Sequence, residues 1–253
     1  MATTTVYLLL GIPGSGRRKL LNDLIAFGLE KEDRALVLLP EEEPEHPDDA
    51  LFRDQDPVQI LSPELLQDPN RVPPAEFLFV LIPGNRNPVD LLEAWKDYLG
   101  KHAIHFELGR IITVVHCAFL SQNPKTQAWF EACIHFSDVL LLNHREEAGN
   151  KWVSDFQKKY QKKHLPCLIE LMKKGGVSNP ARILEPQPRR LSQAFDFWES
   201  PHAVPDDLEI EIEGDPLEED EADEEAIPEE PYFQRMPGGR RLKKIPDIRE
   251  FLE

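Results

Sequence analysis

The chain has 253 residues and a formal charge of −17, with 29 basic against 46 acidic side chains. This charge excludes a generally basic nucleic-acid-binding protein, and a hydrophobic share of 41% is sufficient to bury a sizeable core. The acidity is concentrated, because residues 206–230 hold 15 acids and no Lys or Arg, which leaves 31 acids against 29 bases elsewhere. We predict one folded domain over residues 1–198 and an acidic, disordered tail over residues 199–253 that ends in a short basic and amphipathic segment.

The sequence predicts neither a membrane segment nor a disulfide framework. The first apolar run, Val6–Leu10, is too short to span a bilayer and has no basic residues before it. The three cysteines are scattered, at Cys117, Cys133 and Cys167, without the spacing of a disulfide scaffold or a zinc site. We therefore expect a cytoplasmic protein that binds neither membranes nor nucleic acid.

Short apolar runs alternate along the chain with segments of helical periodicity. Several runs are apolar at consecutive positions, which is typical of parallel strands buried on both faces. The predicted strands cover residues 4–10, 35–39, 58–61, 77–82, 110–115, 138–142 and 165–171. The predicted helices cover residues 17–29, 88–100, 124–136 and 146–163. This alternation predicts an α/β fold with a mostly parallel sheet and helices on both faces.

Two acidic segments fall outside the alternation. Residues 41–56 contain eight acids and one base, which predicts a solvated loop between the second and third strands. Residues 206–230 of the tail are predicted to be a solvating segment. The alternative is that the tail binds a basic surface, either on a protein partner or on Arg17, Arg18 and Lys19 of this chain.

The first predicted strand runs directly into a glycine-rich loop with the sequence GIPGSGRRK, residues 11–19. In a phosphate-binding loop, glycines let successive backbone N–H groups point at phosphate oxygens, and the following helix N-terminus adds partial positive charge. The alternative is an ordinary glycine turn between a strand and a helix. We predict phosphate contacts from Gly11, Gly14, Ser15, Gly16, Arg17 and Arg18.

Two side chains of the usual phosphate-binding loop are replaced in this chain. That motif has a Lys that reaches the β- and γ-phosphates and a Ser or Thr that holds magnesium, and Arg17 and Arg18 stand at these positions. Arg17 keeps the positive charge in a forked form, whereas Arg18 cannot ligate a cation. Phosphate binding is therefore expected, magnesium is doubtful, and we predict no catalytic and no metal-ligating residue.

Four segments in chain order resemble the CobW family of P-loop GTPases. They are the glycine loop with Leu20-Leu21-Asn22 behind it, residues 79–88, residues 111–118 and residues 138–146. The resemblance covers roughly residues 4–190, which is the nucleotide-binding domain of that family. It implies a three-layer P-loop NTPase-like fold and GTP or another nucleotide as ligand. It also implies a switch-like role for Gly84 and base contacts from Asn143 and Glu146.

The chain departs from this family at charged residues that carry the family's chemistry. Leu81 stands where the family has an acidic residue ahead of the glycine, and His116 replaces an aspartate. In the base-recognition loop His144 replaces Lys and Glu146 replaces Asp, which weakens a preference for guanine. The family's Cys-x-Cys-Cys metal motif is also missing from residues 39–77.

Other histidines and cysteines give weaker candidates for chemistry. His102, His105 and the His116-Cys117 pair carry metal-binding side chains, but no carboxylate or second cysteine stands at a helical i, i+4 spacing from them. Cys117 or Cys133 could act as a nucleophile, although cysteines within apolar segments are most often small core residues. We favour surface or core positions for all of them.

The sequence therefore predicts a degenerate CobW-like P-loop protein. It would bind a nucleotide or another phosphate ligand weakly, with little or no hydrolysis, and act as an interaction or regulatory module. One alternative is an active GTPase or NTPase of metal-trafficking type, in which Arg17 does the work of the lysine. A small-molecule kinase is a further alternative, against which Asn143 argues. Whether the chain is an enzyme stays open at this level.

Overall fold

The computed structural model describes residues 3–53, 58–196 and 229–252. The predicted domain boundary at residue 198 and most of the acidic tail, residues 199–228, lie outside the described residues. The division into a domain and a disordered tail therefore stays a prediction. Within the described residues, no helix is long and apolar enough to cross a membrane.

Within the described part of the chain, seven strands form one sheet, and every strand pairing in it is parallel. The order across the sheet is β3-β2-β4-β1-β5-β6-β7. The strands are β1 (Thr4–Leu10), β2 (Ala35–Leu38), β3 (Val58–Ile60), β4 (Phe77–Leu81), β5 (Phe106–His116), β6 (Val139–Asn143) and β7 (Leu168–Leu171). The predicted parallel sheet is confirmed, with β1 and its following loop near the centre.

Helices cover both faces of this sheet, as predicted. They are α1 (Arg17–Gly28), α2 (Pro88–Lys101), α3 (Cys117–Gln122), α4 (Gln127–Phe136), α5 (Arg145–Ala148), α6 (Asn150–Lys162) and α7 (Pro180–Leu184). Alternate residues of β1 point to opposite faces. Leu8 belongs to the core layer that contains α2, α4 and α6, whereas Leu9 belongs to the layer that contains α1 and α7. This division confirms the three-layer α/β architecture.

The segment 229–252 packs against the domain near α2 and α4. Glu230 bonds to His135 of α4 at 2.8 Å, and Arg241 bonds to Glu93 of α2 at 2.6 Å. Ile248 is buried in the same core layer as these helices. Segment 229–252 therefore contacts the domain through both polar and apolar side chains.

The loop that follows β2 is not the solvated loop that its composition predicts. Residues Pro47–Phe52 form a 3₁₀ helix, and the Phe52 side chain is fully buried. Glu43 and Asp49, two of the acids that suggested solvation, are buried as well. The prediction was wrong for the described part of this loop, because these two carboxylates are neutralised by arginines of the glycine loop.

Candidate phosphate-binding site

The glycine loop lies at the carboxyl edge of the sheet, between the end of β1 and the start of α1. Gly11, Gly14 and Gly16 adopt φ values of 141°, 75° and 97°, which favour glycine over residues with a side chain. A Cβ atom on Gly16 would also lie 2.5 Å from Nδ2 of Asn143. The loop curvature therefore depends on these glycines, as a phosphate-binding loop requires.

The N-terminus of α1 is open to a ligand. No side chain of the described residues caps it, and no acidic residue lies in its first turn, so its first N–H groups and its partial positive charge are not satisfied by the helix itself. Ser15 Oγ lies buried within the loop without a hydrogen-bond partner among the described residues. These donors give the loop the capacity to bind an anion.

Gly84, the predicted switch-like residue, lies directly against the glycine loop. A Cβ atom at this position would come within 2.1 Å of the Gly11 carbonyl oxygen, so only glycine allows this approach. The Gly84 N–H group donates to Oε1 of Glu43 at 2.7 Å. Gly84 therefore joins the glycine loop to the acidic loop after β2.

Arg17 occupies the position of the usual phosphate-binding lysine, but its side chain is buried and paired. Its guanidinium group donates to the carbonyl oxygen of Ile82 and, at 2.5 Å, to Oε1 of Glu43. Only 2% of the Arg17 surface is exposed. The charge of Arg17 is therefore matched by a carboxylate of this chain.

Arg18 is paired in a similar way. Its Nε group donates to Asp49, and Nη1 donates to Oε2 of Glu43 at 3.1 Å. The other oxygen of Asp49 accepts the His46 N–H group at 2.8 Å, which fixes the start of the 3₁₀ helix. Sequence reasoning missed Glu43 and Asp49, since their many acidic neighbours suggested a solvated segment.

Glu43 is the centre of this charge cluster. Burial alone would raise the pKa of Glu43, but the attraction of Arg17 and the hydrogen bonds from Gly84, Arg17 and Arg18 outweigh it. The pKa of the carboxyl group is therefore held below its usual value. Burial in turn lowers the pKa of Arg17, and Glu43 opposes that effect. Both groups are held in their charged forms by each other.

The residues at the expected magnesium position do not fit a divalent cation. Arg18 presents a guanidinium group where a hydroxyl ligand would be needed, and Leu81 is an apolar, buried side chain. The carboxylates that contact Arg17 and Arg18 are those of Glu43 and Asp49, and their pairing with arginine opposes metal binding. Among the described residues, no group of three His, Cys, Asp or Glu side chains is arranged to hold a metal ion.

The predicted base-recognition residues are separated by the structure. Asn143 ends β6, and its Nδ2 group donates to the Ser15 carbonyl oxygen at 2.8 Å, which places it on the glycine loop. Glu146 lies exposed in the short helix α5 and does not line the cavity beside the loop. His144, between them, adopts a φ of 51° and stacks on His116 with ring centroids 3.9 Å apart.

His116 and the cysteines show no sign of metal binding or nucleophilic activation. Burial and the neighbouring His144 lower the pKa of His116 to about 4. Its Nδ1 atom accepts the Phe119 N–H group at 3.2 Å, which caps α3. Burial raises the pKa of the Cys117 thiol to about 12 and also raises that of Cys133. Thiols held in this protonated form are poor nucleophiles.

A cavity of about 370 Å³ lies beside the glycine loop. Among the residues that the structure describes, Asp48 is the single acid that lines it, whereas the basic and imidazole side chains in the lining are Arg17, Arg18, Lys19, His46, His144 and Lys174. Lys19 and Lys174 are exposed, so their charges are available to a ligand. Sequence reasoning missed Lys174. Its position just after the last strand was a signal, because the carboxyl ends of parallel strands meet at one edge of the sheet.

Strand, glycine loop and helix at the carboxyl edge of a parallel sheet define the P-loop NTPase-like class of fold. Two solved structures are similar to this chain. A Zn(II)-bound triple mutant of the YjiA GTPase has 15% sequence identity and a TM-score of 0.49, over 75% of this chain and 67% of that chain. The Zn(II)-bound YjiA GTPase from E. coli has 14% sequence identity and a TM-score of 0.44, again over 75% of this chain and 67% of that chain. No protein-family model and no curated protein matches the sequence.

Proposed function

We propose that this chain is a degenerate CobW-like P-loop protein that binds a nucleotide or another phosphate ligand weakly at its glycine loop and hydrolyses it slowly or not at all. It acts as an interaction or regulatory module. The observation that carries this proposal is the pairing of Arg17 and Arg18, at the lysine and magnesium-ligand positions, with Glu43 and Asp49.

Ligand binding is supported by the part of the loop that stays open. The uncapped N-terminus of α1 faces a cavity whose rim carries Lys19 and Lys174. Helix N-termini and lysine side chains both stabilise phosphate groups. The affinity is weak because Arg17, which would hold the phosphates most directly, is neutralised by Glu43.

Slow or absent hydrolysis follows from the groups that surround the loop. Phosphoryl transfer depends on a cation held near the terminal phosphates and on positive charge aimed at the transition state. Arg18 and Leu81 supply no ligand for the cation, and the charge of Arg17 is already paired. Loss of one preorganised contact of this kind lowers the rate on the order of 10²-fold or more.

GTP turnover by the intact protein tests the proposed lack of hydrolysis. We expect no magnesium-dependent turnover above background. The double change Arg17→Lys with Arg18→Thr should not restore turnover, because Leu81 still provides no carboxylate. GTP turnover at the rate of an ordinary GTPase, dependent on magnesium, would contradict the proposal.

Hydrogen exchange provides the binding test. Inorganic phosphate should slow amide exchange at residues 14–19, and added salt should weaken this protection. Changing Lys19 and Lys174 to Gln should reduce the protection, whereas the same changes at Lys31 and Lys151, which are exposed and do not line the cavity, should leave it intact. Absence of protection by phosphate, pyrophosphate or nucleotide would show that the loop is only a turn.

A further inference from the structure

A carboxylate of the chain itself occupies an anion position on the glycine loop. Three donors converge on Glu43: Arg17 at 2.5 Å, Arg18 at 3.1 Å and the Gly84 N–H group at 2.7 Å. Guanidinium groups and backbone N–H groups are the donors that hold phosphate oxygens. In a phosphate-binding loop the residue at the position of Arg17 reaches the β- and γ-phosphates. Glu43 therefore supplies negative charge and acceptor oxygens where a terminal phosphate would be held.

Part of the glycine loop lines an open cavity beside this carboxylate. The cavity of about 370 Å³ is lined by Gly14, Gly16, Arg17, Arg18 and Lys19 of the loop, and Glu43 is not among its lining residues. One end of the site is therefore filled by the protein, while the neighbouring end is accessible and carries Lys19 and Lys174.

We infer that Glu43 fills the terminal-phosphate subsite of this loop, so that the open cavity takes a nucleoside diphosphate or monophosphate and disfavours a triphosphate. The inference rests on the proposed function, because it names the ligand class of the same site. A third phosphate group would have to break the ion pairs of Glu43 with Arg17 and Arg18 and its hydrogen bond from Gly84 before it could use these donors itself. If Glu43 stayed in place, the phosphate would lie against its carboxylate, where like charges repel.

Calorimetric titration of the intact protein with GDP and GTP, and with ADP and ATP, tests the inference. Magnesium is omitted so that it does not screen the terminal phosphate. The wild-type protein should bind each diphosphate at least about tenfold more tightly than the matching triphosphate, since like charges at close range are costly. Equal or tighter binding of the triphosphates would overturn the inference and leave the proposed function standing.

Substitutions at Glu43 extend this test. Glu43→Ala opens the subsite, and Glu43→Gln keeps its size but removes its charge, so both should narrow the preference for diphosphates. Glu42→Ala is the matched control, because Glu42 is half-exposed and pairs at 2.8 Å with Arg86; it should keep the preference. An unchanged preference in both Glu43 variants would overturn the inference.

The comparison of diphosphate with triphosphate affinity in the wild-type protein needs no variant. It therefore tests the inference even if a Glu43 variant does not fold. Failure to bind any of these nucleotides or inorganic pyrophosphate would overturn the inference together with the proposed function.

Discussion

Glu43, Asp49, Arg17 and Arg18 form a cluster in which two carboxyl and two guanidinium groups are almost completely buried. Charges removed from water are costly unless each is paired and hydrogen-bonded. Here each guanidinium group meets at least one carboxylate, and Glu43 also accepts the Gly84 N–H group. The cluster therefore ties the acidic loop to the glycine loop.

Replacing Glu43 by Gln should lower the free energy of unfolding by about 3 kcal/mol, because it leaves Arg17 without a carboxylate partner and Arg18 with Asp49 alone. Urea unfolding of both proteins measures this change. Glu42→Gln, an equal change of charge at the exposed neighbour, should alter the stability by less than about 1 kcal/mol. Equal effects of the two substitutions would show that the Glu43 pairings do not contribute to stability.

The stability should also depend on pH through His116. The pKa of His116 is lowered from 6.5 to about 4 in the folded protein, so the unfolded chain binds this proton at a higher pH. The contribution of His116 to the free energy of unfolding is therefore fully present above pH 6.5. It is lost as the pH falls from 6.5 towards 4, by at most about 1.4 kcal/mol per pH unit.

The variant His116→Asn should show a shallower loss of stability over this pH range. Asn keeps an acceptor for the Phe119 N–H group, so α3 retains its N-cap. Urea unfolding at a series of pH values gives both slopes. Parallel slopes in the two proteins would mean that His116 does not take up a proton on unfolding.

Among the elements, the strands and helices that the sequence predicts well are those with a continuous apolar pattern. Strand β5 shows where the pattern misleads, because it begins at Phe106 rather than at the predicted residue 110. Gly109 interrupts the apolar run, and the sheet accommodates it through a register shift opposite Val6 and Tyr7. A glycine at such a bulge looks like a strand end in the sequence.

The segment 229–252 should depend on Glu230 for its attachment. Glu230 accepts hydrogen bonds from His135 and Ser192 at 2.8 and 2.5 Å and from the Tyr232 N–H group at 3.1 Å. Glu230→Ala leaves these donors without their acceptor and should lower the stability by about 2 kcal/mol in urea unfolding. The exposed neighbour provides the control, since Glu229→Ala changes the charge equally and should have little effect. A similar loss of stability in both variants would show that the hydrogen bonds of Glu230 do not attach this segment.

Deletion of residues 206–228 is predicted to leave the melting temperature nearly unchanged. This segment contains no Lys or Arg and few large apolar residues, so its sequence provides little for a core, and shortening a long connection changes the closure entropy only slowly. Thermal unfolding measures the melting temperature of the intact chain and of the chain that lacks residues 206–228. A large fall in melting temperature would show that the segment packs against or pairs with the domain.

At the scale of the whole molecule, the architecture was predictable and the charge pairing was not. Consecutive apolar positions identified the parallel strands, and the glycine loop after β1 placed the candidate site at the carboxyl edge of the sheet. Opposite charges attract across any sequence separation, so the sequence could not show that Arg17 and Arg18 pair with Glu43 and Asp49. Segments 41–56 and 206–230 looked equally solvated in composition, yet the described part of the first is folded onto the loop.

Weak nucleotide binding without a held cation is tested by an equilibrium titration of the intact protein with a fluorescent GDP analogue, first with magnesium and then with a chelator in its place. We expect weak binding with the same affinity in both conditions, because on the proposed function the loop binds phosphate through backbone N–H groups and lysines. Inorganic pyrophosphate should compete for the site in both. Binding that requires magnesium, or no binding in either condition, would contradict the account.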